Sequence, residues 1–137
     1  MTEERKTRAL YEHIERRVVP YVRVGRERWT QRAKRYFADQ DRMVALLERA
    51  AKGQGFVAPT GPWRLGVTVT LAPAKSTGKM PKTAGDLDNV VKAISDAAQK
   101  AGIVPDDCHL VSIVAGKQLG ERDSVKFTIW YYEDEQP

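Results

Sequence analysis

Hydrophobic positions along the chain repeat with two periods. In WRLGVTVTLA, residues 63–72, Trp63, Leu65, Val67, Val69 and Leu71 point one way and Arg64, Thr68 and Thr70 the other, which predicts a strand with one buried face. HLVSIVAGK and SVKFTIWYY predict two more strands, and the short turn near Gly120–Asp123 predicts that they pair as a hairpin. Helical spacing predicts a helix over Ala38–Lys52, with Met43, Leu46, Leu47 and Ala50 on one face and Gly53 as its stop. A second helix is predicted over Asn89–Ala101, with Val90, Val91, Ile94, Ala97 and Ala98 on its buried side and Gly102 as C-cap. The N-terminal third is less regular. Leu10, Ile14 and Val18 have helical spacing, but the run into VVPYVRV favours a strand from about residue 9, broken at Pro20. Val22 and Val24 flank Arg23, GRER reads as a turn, and Trp29–Phe37 are expected to return as a further strand. The order is β(β)αβαββ, an α+β fold with a small mixed sheet and two main helices. Strand 64–72, helix 89–101 and strand 109–118 could form a right-handed crossover.

The 137 residues are enough for one domain with its own core, and no repeat or linker divides them, so residues 1–137 are read as a single domain with 1–8 as a disordered or frayed extension. Cys108 is the single cysteine, which excludes an intramolecular disulfide and a zinc cluster of thiolates. It is expected to be a small buried residue rather than a nucleophile, and a ligand role for His109 is the minority reading. No apolar run suits a bilayer, and MTEERKTRAL has no signal core, so a cytoplasmic, soluble protein is expected.

The net charge of +5 changes the picture because it is uneven. Residues 1–52 carry 14 basic and 8 acidic side chains, residues 53–137 carry 9 and 10. Between Arg16 and Arg35 there are eight basic residues against Glu27 alone, interleaved with Tyr21 and Trp29. Arginine suits bidentate phosphate contact, so a polyanion, nucleic acid first, is the expected partner. Arg23, Arg26, Arg28, Arg32, Lys34 and Arg35 are the candidate contacts, joined by Lys75, Lys79 and Lys82 in the loop PAKSTGKMPKTAG and by Lys117. A solvated basic face is the simpler alternative.

The second half holds Asp86-Leu87-Asp88-Asn89, then Lys92, then Asp106-Asp107. Mg²⁺ prefers oxygen ligands and is usually held by one or two carboxylates, waters and substrate phosphate. A cation held this way can polarise a scissile phosphate and acidify an attacking water. Lys92, one turn into the helix, could neutralise charge building on the phosphate. Structural readings exist for each residue. Asp88 makes a good N-cap, Asp88 and Lys92 an i,i+4 pair, Pro-Asp-Asp an ordinary turn, and Asp96 a partner for Lys92 or Lys100.

The whole string DLDNVVKAISDAAQKAGIVPDDCHLV resembles the signature segment of the RusA family of Holliday junction resolvases, common on phages and prophages. The matching residues are Asp86, Leu87, Asp88, Asn89, Lys92, Asp96-Ala97, Gly102, Asp106 and Asp107, and the likeness covers 8–132, strong over 85–118 and loose before 60. Tyr21 stands where a second basic residue near Pro20 is usual. The resemblance implies a homodimeric, Mg²⁺-dependent endonuclease, with Mn²⁺ as substitute, that binds four-way DNA junctions and resolves them by paired symmetric nicks. It further implies Asp86, Asp88 and Asp107 as metal-binding catalytic carboxylates, Asp106 as a possible further ligand, and Lys92 as the essential lysine. A two-fold dimer matches the pseudo-two-fold junction. Helix 89–101 is about 20 Å long, so Asp88 and Asp107 meet only if the following loop runs back along it or if the site is shared between subunits. The alternatives are a non-catalytic basic DNA-binding protein, with the aspartates capping and turning, and an RNA-directed protein.

Overall fold

A computed structural model describes residues 5–22, 30–81 and 86–137. The elements run β1 (Thr7–Ile14), α1 (Gln31–Gln54), β2 (Trp63–Leu71), α2 (Leu87–Lys100), β3 (Leu110–Leu119) and β4 (Ser124–Tyr132), with short 3₁₀ turns at Asp107–His109 and Glu133–Glu135. This is the α+β class expected, a four-stranded mixed sheet and two helices. The optional second strand is absent among the described residues. Gln31–Phe37 belong to α1, which starts well before Ala38 because Thr30 caps it, its hydroxyl accepting from Ala33 N–H at 3.2 Å. The other half of the expected basic hairpin, residues 23–29, lies outside the described residues. Gly53 does not stop α1. Gly55 does, at φ +64°, where a glycine avoids the left-handed penalty and its N–H reaches the carbonyls of Ala51 and Lys52. β1 begins at Thr7, inside the segment expected to fray, and Arg5 and Arg8 pair with Asp134 and Glu133.

The strand order is β1-β4-β2-β3. β3 runs parallel to β2, as the crossover through α2 requires, and β4 runs antiparallel to both β1 and β2. The expected β3–β4 hairpin is therefore wrong, because β2 lies between the two strands. Their short connection crosses the end of β2 and is held there. Gly120 N–H donates to the Leu71 carbonyl at 3.0 Å, and Ala72 N–H donates to Asp123 Oδ1 at 2.9 Å. A Cβ at Gly120 would stand 2.4 Å from Thr70 Cγ2, so a larger residue there must displace the Thr70 side chain.

Asp123 also pairs with Arg17 at 2.8 Å. The Ala72 N–H, then the Arg17 guanidinium, hold its carboxyl below the usual range. A depressed native pKa contributes stability at and above the unfolded value of about 3.9, lost as pH falls through the native one. Acid unfolding of Asp123→Asn, followed by circular dichroism, should thus lose less stability below about pH 4 than the parent does. An unchanged acid limb would show that this carboxylate does not hold the crossing.

Both helices cover one face of the sheet. Leu65, Val67, Val69 and Leu71 of β2, Val125, Phe127, Ile129 and Tyr131 of β4, and Leu10 and Ile14 of β1 form that face. Tyr36, Met43 and Leu47 of α1 and Val90, Val91, Ile94, Ala97 and Ala98 of α2 complete the core. β3 is one of the two edge strands, β1 being the other, and among the described residues it stays open, with Val111, Ile113, Val114 and Leu119 each about half exposed or more.

Candidate active site

The site is built at the start of α2 and on the turn before β3. Asp86 takes the N-cap position in extended backbone, without a side-chain capping bond, and Asp88 sits in the first turn with Oδ1 accepting from Asn89 N–H at 3.0 Å. The N-cap position considered for Asp88 is therefore taken by Asp86, whose side chain makes no capping bond. Acidic side chains are favoured at a helix start by the macrodipole. After α2, Pro105 leads into the 3₁₀ turn that carries Asp107. The turn is pinned from below: the indole N–H of fully buried Trp63 donates to the Asp106 carbonyl at 3.1 Å.

The parallel β2–α2–β3 crossover brings the two ends together. An open cleft of about 540 Å³ between α2 and β3 is lined by Asp88, Lys92, Asp96 and Asp107 over an apolar floor that includes Val91, Leu110 and Ile113. The chain after α2 does run back, so Asp88 and Asp107 share one cleft within one subunit. Asp86 does not join them. It lines an adjoining cleft of about 350 Å³ with Asn89, Arg32, Arg35 and Tyr21. Among the described residues, the side chains of Asp86 and Asp107 have no hydrogen-bond or ion-pair partner.

Lys92 is held from two sides. Its ammonium stands 4.7 Å from the centre of the Tyr21 ring and 3.8 Å from Asp96 Oδ1. Asp88 is not its partner in this structure. Tyr21 is fixed in turn: its N–H donates to the Asn89 carbonyl at 2.9 Å, and its ring meets Tyr36 edge-on at 5.6 Å. The Tyr36 hydroxyl donates to Asp96 Oδ2 at 3.1 Å. Burial, then the Asp96 charge, push the Tyr36 hydroxyl far above its usual range, so it remains a donor. The strand-like segment carrying Tyr21 is tied to α1 through buried Asp39. Asp39 Oδ2 accepts from Val19 N–H at 2.9 Å, and Oδ1 lies 2.7 Å from an Arg16 nitrogen, as an ion pair without hydrogen-bond alignment. The Tyr21–Tyr36–Asp96 support of Lys92 was not foreseen. Only the i,i+4 spacing of Lys92 and Asp96 hinted at it.

Asp106 stands apart from the cleft carboxylates. Its Oδ1 accepts from the Cys108 thiol at 2.8 Å and contacts His109 Nδ1 at 2.6 Å. These contacts, the thiol's first, hold the Asp106 carboxyl below its usual range, while the hydrogen bond to Asp106 pushes the thiol up. Cys108 is exposed rather than buried, because the 3₁₀ turn delays β3 until Leu110 and turns the side chain outward.

Of the basic candidates, Arg32 and Arg35 flank Asp86, and Lys34 is exposed beside them on α1. Lys75 and Lys79 lie on the exposed loop after β2. Lys117 follows Ile113 and Ala115 on the β3 face turned toward α2, as strand parity predicted. Arg23, Arg26, Arg28 and Lys82 lie outside the described residues. Among the described residues no helix is long and apolar enough to cross a membrane.

The chain matches the family model described as Endodeoxyribonuclease RusA over residues 18–130, which takes in both ends of the cleft and its Tyr21–Asp39 support. It belongs to the RusA endodeoxyribonuclease family. Endodeoxyribonuclease activity on Holliday junctions follows from that membership. No curated protein sequence matches the chain. In RusA terms, the residues that carried the family resemblance in sequence are those that the crossover gathers at the start of α2 and the turn before β3, with Asp86 one cleft away from Asp88 and Asp107.

Proposed function

We propose that the protein is a homodimeric resolvase that cuts two opposed strands of a four-way junction, with Asp88, Asp107 and Asp86 holding a divalent cation and Lys92 serving the scissile phosphate. The observation that carries the reading is the convergence of Asp88, Lys92 and Asp107 on one cleft from two chain segments. The donor set fits Mg²⁺ or Mn²⁺, since it consists of exposed carboxylate oxygens beside a surface open to phosphate. When bound, such a cation supplies Lewis-acid polarisation of the phosphate.

The chain's own contribution is positioning and charge. Tyr21 and Asp96 restrain the Lys92 ammonium, so that it meets an incoming phosphate with little reorganisation. Arg32 and Arg35 beside Asp86, with Lys34, Lys75, Lys79 and Lys117, offer the phosphate contacts that make binding salt-sensitive. Arg23, Arg26, Arg28 and Lys82, outside the described residues, are proposed as further phosphate contacts on their charge alone.

Homodimerisation is supported by the β3 edge. Among the described residues its outer edge has no strand partner, and it presents the exposed side chains of Val111, Ile113, Val114 and Leu119 beside the cleft. A second copy there would place two sites near one two-fold axis and could bring its own Asp86 toward the cleft.

A supercoiled plasmid carrying an extruded cruciform tests the reading. Paired nicks yield linear DNA, unpaired nicks yield open circles, and EDTA should stop both. Mixing Asp86→Asn chains with Lys92→Ala chains, each inactive alone, should restore one competent site per mixed dimer when the two residues act across the interface. Binding of the cruciform without cleavage under Mg²⁺ or Mn²⁺ would support a non-catalytic DNA-binding protein instead. Open circles alone would remove the paired-nick reading, and inactive mixtures would place each site within one subunit.

A further inference from the structure

The turn that carries Asp107 also presents donors that the nuclease reading leaves unused. Asp106 Oδ1, Cys108 Sγ and His109 Nδ1 all lie within 4.8 Å of one another, and among the described residues they form the one such cluster of three or more. We propose that Asp106, Cys108 and His109 bind a borderline transition-metal ion of the Zn²⁺ class, at a site separate from the oxygen-ligand site of the cleft.

The geometry is close to what such an ion needs. Tetrahedral Zn²⁺, with bonds of about 2.0 Å to O and N and about 2.3 Å to S, spaces its ligands about 3.3–3.6 Å apart. The sulfur-to-nitrogen separation is already 3.6 Å. The two contacts to Asp106, 2.8 and 2.6 Å, must open by under about 1 Å, which a rotation of an exposed carboxylate supplies. The backbone beneath is pre-set, because the Asp106 carbonyl accepts from both the Trp63 indole and the His109 N–H.

Ligand chemistry separates the two sites. A thiolate and an imidazole select Zn²⁺ or Co²⁺, whereas Mg²⁺ prefers carboxylates and water. Binding displaces the Cys108 thiol proton to solvent and replaces the hydrogen bonds that now link the three side chains. Three protein ligands leave a fourth position to water or to an incoming donor, which suits a site on the surface. The ligands also bracket Asp107 in sequence, so a bound ion stiffens the peptide that presents a cleft carboxylate.

Cobalt titration of the full chain, kept reduced, provides a readout independent of activity. Cys108 is the single cysteine, so a sulfur-to-cobalt charge-transfer band in the near ultraviolet reports this site alone. The expected result is one Co²⁺ per chain with that band, displaced by stoichiometric Zn²⁺ but not by millimolar Mg²⁺. Cys108→Ser should remove the band, and His109→Ala should weaken binding by about tenfold or more. The paired change Asp86→Asn with Asp88→Asn should leave the band unchanged. These side chains are all on the surface, and a circular dichroism spectrum checks that the variants fold. Absence of the band, its indifference to His109→Ala, one ion per two chains, or displacement by Mg²⁺ would each overturn the proposal.

Discussion

Asp107→Asn is expected to lower cleavage of a four-way junction by at least about 100-fold, while junction binding is kept or strengthened. The substitution changes charge and not shape. The side chain is exposed on a 3₁₀ turn and has no hydrogen-bond or ion-pair partner among the described residues, so the fold has little to lose. An amide is a poorer ligand for a hard cation than a carboxylate. Several kcal/mol of charge stabilisation in the transition state go with it, and each 1.36 kcal/mol is tenfold in rate. Ground-state binding moves the other way, since one negative charge beside the phosphates is removed. Single-turnover cleavage and a gel-shift titration at fixed salt separate the two effects. Asp106→Asn is the control, because its carboxylate is engaged by Cys108 and His109 away from the cleft, and its effect should be much smaller. Retained cleavage by Asp107→Asn, or a loss of binding that follows a loss of folding, would remove Asp107 from the machinery.

What could be read in the sequence depended on how locally it was encoded. The acidic string was readable because its members sit at a helix start and on the turn that follows the same helix, and one crossover brings these points together whatever the rest of the sheet does. Strand periodicity placed β2, β3 and β4 correctly, but alternation carries no information about which strands are neighbours. A short connection after β3 read as a hairpin turn. In the structure it passes over the end of β2, stitched by Gly120 and Asp123, contacts that become visible only with β2 in place. The first two turns of α1 were misread because Gln31–Phe37 bury only Ala33 and Tyr36, too few for a clear apolar stripe. Gln, Arg, Ala and Lys all favour helix, and Thr30 was the missed start signal. The restraint on Lys92 lies beyond sequence reasoning for a different reason. Tyr21, Tyr36 and Asp96 come from three distant segments and meet only when α1 packs against α2.

The largest stability loss is expected at Trp63, and it should reach the site. Trp63 is completely buried at the start of β2, opposite Leu110, the first residue of β3. Removing so large a side chain from a packed core costs about 3–5 kcal/mol, a large part of the roughly 5–15 kcal/mol that holds a domain folded. Trp63→Ala should therefore shift the urea midpoint strongly downward at an unchanged slope. Trp63→Phe isolates the second function of the residue. It keeps most of the apolar burial but deletes the N–H that donates to the Asp106 carbonyl, a bond worth about 1 kcal/mol net. That carbonyl retains the His109 N–H at 3.3 Å, so the turn loosens rather than unfolds. The Phe variant should remain folded, bind the junction as the parent does, and cleave it more slowly, because Asp107 is then presented by a less restrained peptide. A Phe variant that cleaves at the parental rate would show that the indole anchors the core and not the catalytic turn.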